Sequence, residues 1–213
     1  MATGFKPVAR TIKEDPGYET IFEKIRLKTK GESKSYDWYR QQIYSLTKNV
    51  KLVMDERRDA QQNPEHQDEN ELRLFPLKGH LYFFDYKATT KSLPFYDQFP
   101  LVYVFAVESS YFWGANLHYL PPKKRVYAIN SMKEGKLNVP QSIVHKYLKK
   151  NTKDFYLDLA KDEWETAILL PVEDFVLQGK KLVPYEKELV WKETKGSDKK
   201  LKLIVSTREY SGK

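Results

Sequence analysis

Thirteen aromatic residues crowd between Tyr82 and Tyr119: Tyr82, Phe83, Phe84, Tyr86, Phe95, Tyr96, Phe99, Tyr103, Phe105, Tyr111, Phe112, Trp113 and Tyr119. Rings at that density favour pleated strands and must be covered on at least one face. Only 40% of the chain is hydrophobic, so these rings have to supply much of the core. The chain, at 213 residues, is long enough for one domain with a core, or a core domain with appendages. Three runs read as strands: His80 to Tyr86, "FPLVYVFAVE" and "SSYFWGANLHYL". Gly114 inside the third predicts a bulge or a close backbone approach. The proline-bracketed "LPFYDQFP" reads as a rigid lead into the second strand. Four or five short strands after residue 76 predict an α+β fold, a small twisted antiparallel sheet or SH3-like barrel. N-terminal helices and a C-terminal β-hairpin would decorate it.

Helices flank this region. Residues 1–17 show no period and read as an arm. Tyr18 to Lys30 has a helical apolar face and a stop at Gly31. "SYDWYRQQIYSLTKNVKL" is a second helix, with Ser35 as cap and Tyr36, Tyr39, Ile43, Leu46 and Val50 along one stripe. Pro122 can open a short helix over "PPKKRVYAINSMK". "VPQSIVHKYLKK" reads as a helix with Ile143, Tyr147 and Leu148 inward, and "DEWETAILLPVEDF" as a strand. Two β-prone runs around Lys195–Asp198 predict the terminal hairpin. The resulting division is 1–54 arm and helices, 55–76 acidic linker, 77–187 β-rich core and 188–213 hairpin and tail. The linker carries seven acids against two arginines between Asp55 and Glu71.

Charge is the second informative feature. The net charge is +8, and the segment Lys123 to Lys153 holds nine cations and one acid, Glu134, which accounts for all of it. Cations gathered beside aromatics are the footprint of a polyanion partner. Lys123, Lys124 and Arg125 leave a rigid proline pair, and Lys146, Lys149 and Lys150 occupy the polar face of the next predicted helix. These six are the expected phosphate contacts, each able to neutralise one phosphate without reading sequence.

Catalytic signatures are sparse. Cysteine is absent, so there is no disulfide framework and no thiol nucleophile. No phosphate-binding glycine loop and no nucleophile elbow occurs. The histidines His66, His80, His118 and His145 lack ligand spacing, so no metal and no cofactor is expected. A metal-dependent nuclease built from Asp85, Asp97 and Glu108 with Lys87 is an alternative, because two cations could bridge a scissile phosphate there. No apolar run is long enough for a membrane span and no secretory signal is seen, so no membrane partner and no small-molecule substrate is expected.

The stretches "GHLYFFDYKATTKSLPFYDQFPLV", "WGANLHYLPPKKR", "DEWETAILLPVEDF" and "YDWYRQQI" together resemble a family of virion proteins of T-even-like tailed bacteriophages, the DNA end protector-like proteins. The resemblance covers about residues 36–175 discontinuously. The region after "PPKKR" is shorter here than in the family, and the Leu189–Tyr210 hairpin is extra. The resemblance implies no catalytic residue. It implies that Leu93, Pro94, Tyr96, Asp97, Phe99 and Pro100 are scaffold, and that Asn116, His118 and Tyr119 are buried polar groups holding the bend before Pro121. It further implies a non-enzymatic protein of the virion, present in host cytoplasm during assembly. Such a protein would sit near the head–tail junction or tail and protect packaged double-stranded DNA ends through a basic surface. The alternative is a structural component docked on portal, neck, tail or baseplate subunits.

Overall fold

Two helices lead the chain in the computed structural model, which describes residues 21–32, 34–48, 72–89, 93–179, 182–195 and 199–205. The expected arm at 1–17 and the acidic stretch 55–71 lie outside the described residues. Helix α1 (Ile21–Thr29) buries Ile25 and ends where Lys30 and Gly31 turn left-handed, at φ 51° and 77°. Helix α2 (Tyr36–Thr47) starts at the expected cap, with Ser35 Oγ accepting from the Trp38 N–H at 3.2 Å. Its stripe delivers Ile43 fully into the core, and its Tyr44 hydroxyl donates to Asp85 Oδ2 at 2.8 Å.

A six-stranded antiparallel sheet follows, in the order β1 (Leu72–Arg73), β8 (Thr152–Leu159), β2 (Leu81–Tyr86), β4 (Leu101–Val107), β5 (Tyr111–Asn116), β7 (Val144–Leu148). A three-stranded sheet pairs β3 (Phe95–Asp97) with β9 (Phe175–Leu177) and β10 (Val183–Pro184). A two-stranded ribbon joins β6 (Lys136–Pro140) to β11 (Lys200–Ile204). Helix α3 (Pro122–Lys133) packs on β6, and one-turn α4 (Trp164–Ala167) and α5 (Lys187–Lys195) complete the described helices. The fold is α+β around a twisted antiparallel sheet.

Both faces of the large sheet are covered. One face carries Leu81, Phe83, Leu101, Tyr103, Ala115, Leu157 and Leu159, and meets Ile43, Ala128, Ile129, Met132, Leu137 and Trp164. The other face carries Tyr82, Phe84, Val102, Val104, Phe112, Tyr147 and Tyr156, and meets Tyr96 and Val176. Phe112 and Tyr156 have ring centroids 5.9 Å apart, and Tyr86 and Tyr147 5.0 Å. Each pair sits three strands apart in the sheet order, about 14 Å if the sheet were flat. The sheet is therefore rolled toward a barrel around this aromatic cluster. Gly114 permits the roll: a Cβ there would collide with Val102 Cγ1 and lie 3.1 Å from the Tyr103 carbonyl.

Three segments differ from expectation. Residues 141–150 are a strand between two 3-10 turns, not a helix. Val144–Leu148 pairs along β5, and Tyr147 stacks on Phe112 at 5.2 Å, so edge pairing overrides the helical spacing. Residues 164–167 are helical, not strand: Trp164, Ala167 and Ile168 are buried at i, i+3 and i+4, and Trp164 Nε1 donates to the Leu159 carbonyl at 2.8 Å. The terminal hairpin does not form. Lys187–Lys195 is helical, burying Val190 and Thr194 at i and i+4, and β11 pairs with β6 instead.

Candidate nucleic-acid interface

The six cations expected to meet phosphate do not share one surface. Lys123 and Lys124 are exposed in the first turn of α3, where the helix N-terminus adds partial positive charge. Arg125, the next residue, is fully buried and must be removed from the set. Its Nε donates to the Leu120 carbonyl at 2.7 Å, one terminal nitrogen donates to the Ile168 carbonyl at 3.0 Å, and the other pairs with Glu173. A guanidinium so enclosed presents no donor to a ligand. The helix period explains the split: Arg125 shares the inner face with Ala128, Ile129 and Met132, while Lys123 and Lys124 face out with Tyr127, which is 80% exposed. Tyr127 lies one turn from both lysines and was readable from its i+3 and i+4 spacing.

The second group gathers at the opposite end of β5. Lys146 is exposed on β7, paired in register with Trp113, with its Nζ 3.8 Å from the Tyr111 ring centroid. Lys149 is half-buried, receiving its place from two bonds: its N–H donates to the Ser110 carbonyl at 3.0 Å and its Nζ to the Glu108 carbonyl at 2.6 Å. Lys150 is exposed beside it. β5 and a 3-10 turn at Leu117–Tyr119 separate this group from Lys123 and Lys124.

The predicted scaffold residues divide as well. Tyr96, Asp97, Phe99, Pro100, Asn116, His118 and Tyr119 are buried, whereas Leu93 and Pro94 lie at the surface. Asp97 is a hub. Oδ1 accepts from the N–H of Phe99 at 3.2 Å and of Asp174 at 3.3 Å; Oδ2 accepts from Asn116 Nδ2 at 3.1 Å and His118 Nδ1 at 2.7 Å. Asn116 Oδ1 in turn accepts from the His118 N–H at 3.0 Å, fixing the bend before Pro121. Asp85 is held by Tyr44 and lies 3.4 Å from Lys153 Nζ. The nuclease alternative needs open carboxylates around a metal; Asp97 is sealed, and no metal-holding group of three or more His, Cys, Asp or Glu occurs among the described residues.

Two titrations, of buried Glu173 and half-buried His145, shape the acid limb of stability. Burial pushes the Glu173 carboxyl up, but the charges of Arg125, His118 and Lys187 together outweigh it and hold it at about 2. This stabilises the fold above 4.5 and is lost as pH falls toward 2. Burial pushes His145 down to about 4, against the pull of Asp97. The unfolded chain binds that proton near 6.5, so stability also declines between 6.5 and 4. Urea midpoints measured against pH are expected to fall in two steps, and His145→Phe is expected to erase the upper one.

Residues 39–136, from α2 to the start of β6, match the family model described as Phage T4 terminal DNA protecting protein. Over this span the chain is similar to that family. The match takes in Lys123, Lys124 and the Asp97–Asn116–His118 network. Lys146, Lys149, Lys150 and Glu173 lie beyond it. No curated protein and no solved structure gives a match. Among the described residues no helix is long and apolar enough to cross a membrane.

Proposed function

We propose that the protein is a non-enzymatic component of a tailed-phage virion that binds double-stranded DNA ends and shields them from exonuclease. The family match carries the reading: the family matched over residues 39–136 is described as protecting terminal DNA. Surface charge supports it. Lys123 and Lys124 at one end of β5 and Lys146, Lys149 and Lys150 at the other supply phosphate contacts. Protection on this reading is steric, since a protein seated on a terminus denies a nuclease its starting point. The protein acts in the virion and in host cytoplasm during assembly. Exposed Leu74, Phe75 and Leu77 suit a second contact, with a neighbouring virion subunit such as a portal, neck, tail or baseplate protein.

The test is charge reversal on the folded chain. Lys123→Glu with Lys124→Glu, and Lys146→Glu with Lys150→Glu, are each expected to weaken duplex binding at least tenfold at moderate salt. Neutralising each contacting lysine is expected to reduce the slope of log affinity against log salt by about 0.9. Exonuclease digestion of linear DNA should slow in the presence of the native chain and not of the variants. Binding that both reversals leave unchanged refutes the reading.

A further inference from the structure

We infer that Trp113 is an end-recognition platform that stacks on the terminal base pair of a duplex, with Lys146 and its neighbours holding the flanking phosphates. The inference rests on the DNA-end reading and says what distinguishes an end from the middle of a duplex. Backbone charge alone cannot do so, because phosphates line the whole molecule, whereas an exposed base-pair face exists only at a terminus.

Trp113 is the ring on this sheet best placed to meet such a face. Most of the aromatic residues are consumed by the two cores, but Trp113 keeps 37% of its surface exposed. Strand alternation sets it on the same face as Tyr111 and Ala115. Ala115 is covered by the core, while Trp113 lies where that cover has ended. Its register partners are Ala106 on β4, which is small, and Lys146 on β7. Lys146, the register partner of Trp113, holds its Nζ 3.8 Å from the centroid of the Tyr111 ring, two residues from the indole along β5. Lys149 and Lys150 follow on the adjoining turn, and Glu108 is the acid at this edge, so three cations stand against one carboxylate. An apolar ring framed by cations on a rigid strand suits an anionic ligand with a flat, unstacked π-face. A terminal base pair has that chemistry, and stacking on a protein ring tolerates any sequence.

The experiment compares a blunt duplex of about two helical turns with the same duplex closed at both ends by hairpin loops, using the full chain. The native protein is expected to prefer the open form about tenfold. Trp113→Ala should abolish the preference while leaving affinity for the closed form unchanged, and Trp113→Phe should restore part of it. Tyr127→Ala, the exposed ring on α3, should leave the preference intact. Trp113 lies outside both cores, so circular dichroism of the variant should match the native chain. A preference that survives Trp113→Ala overturns the inference, as does native binding without preference; in both cases the DNA-binding reading stands. Failure of the native chain to bind either duplex overturns both. Competition by polyglutamate as effective as by open ends identifies an acidic protein as the occupant and also overturns the assignment.

Discussion

Arg125→Ala is expected to destabilise the fold by about 3–5 kcal/mol, the usual cost of stripping one partner from a buried ion pair. The guanidinium is fully buried, and its removal leaves Glu173 without its main counter-charge, although Lys187 Nζ remains 3.2 Å away. The carbonyls of Leu120 and Ile168 lose their donors in the same step. Urea unfolding checks the value. Lys123→Ala and Lys124→Ala, adjacent in sequence but exposed, are expected to change stability by no more than about 0.5 kcal/mol. Replacing the pair together, Arg125→Met with Glu173→Leu, should recover much of the loss, because two apolar groups leave no orphaned charge. If Arg125→Ala keeps native stability and loses DNA affinity, the residue contacts phosphate after all.

Asp97→Ala is expected to cost about 4 kcal/mol, also by urea unfolding. Four donors point at this carboxylate, from Phe99, Asp174, Asn116 and His118, and each buried donor left unsatisfied costs about 1–3 kcal/mol, less than additively. Asp97→Asn should also destabilise, since half of the new amide turns an N–H toward existing donors. The outcome separates two roles. A catalytic carboxylate can be removed with the fold intact; a hub that ties β3 to the exit of β5 cannot. Native stability in Asp97→Ala contradicts the hub.

Much of the fold was legible wherever local and tertiary preferences agree. α2 announces itself through Ser35 and its apolar stripe, and β2, β4 and β5 through aromatic and β-branched runs bounded by turns. Reading failed where one set of residues satisfies two periods. Ile143 and Tyr147 fit a helix face, yet Tyr147 also alternates with Lys146 and Leu148 against β5. Trp164 and Ile168 fit both a strand and a helical turn. Burial of both faces hides β8, where Tyr156, Leu157, Asp158 and Leu159 are all buried and the usual contrast between sides is lost. For the candidate site, charge counting picked out Lys123 to Lys153 but could not see Glu173, which reaches Arg125 from 48 residues away. Trp113 was visible as one ring among thirteen; only the covering of its neighbours singles it out.

The last described elements are woven into the middle of the molecule. From α5, Trp191 Nε1 donates to the His118 carbonyl at 2.8 Å and Thr194 Oγ1 to the Tyr119 carbonyl at 3.0 Å. β11 supplies the partner of β6, and the Val205 N–H closes on the Gly135 carbonyl at 2.6 Å. Synthesis delivers these pieces late, at roughly 5–20 residues per second. Until they arrive, the carbonyls of His118, Tyr119 and Gly135 lack these donors and β6 lacks its ribbon partner. Closure of the ribbon therefore waits on residues about sixty positions downstream of β6, and until they emerge that edge is open to pairing with another chain.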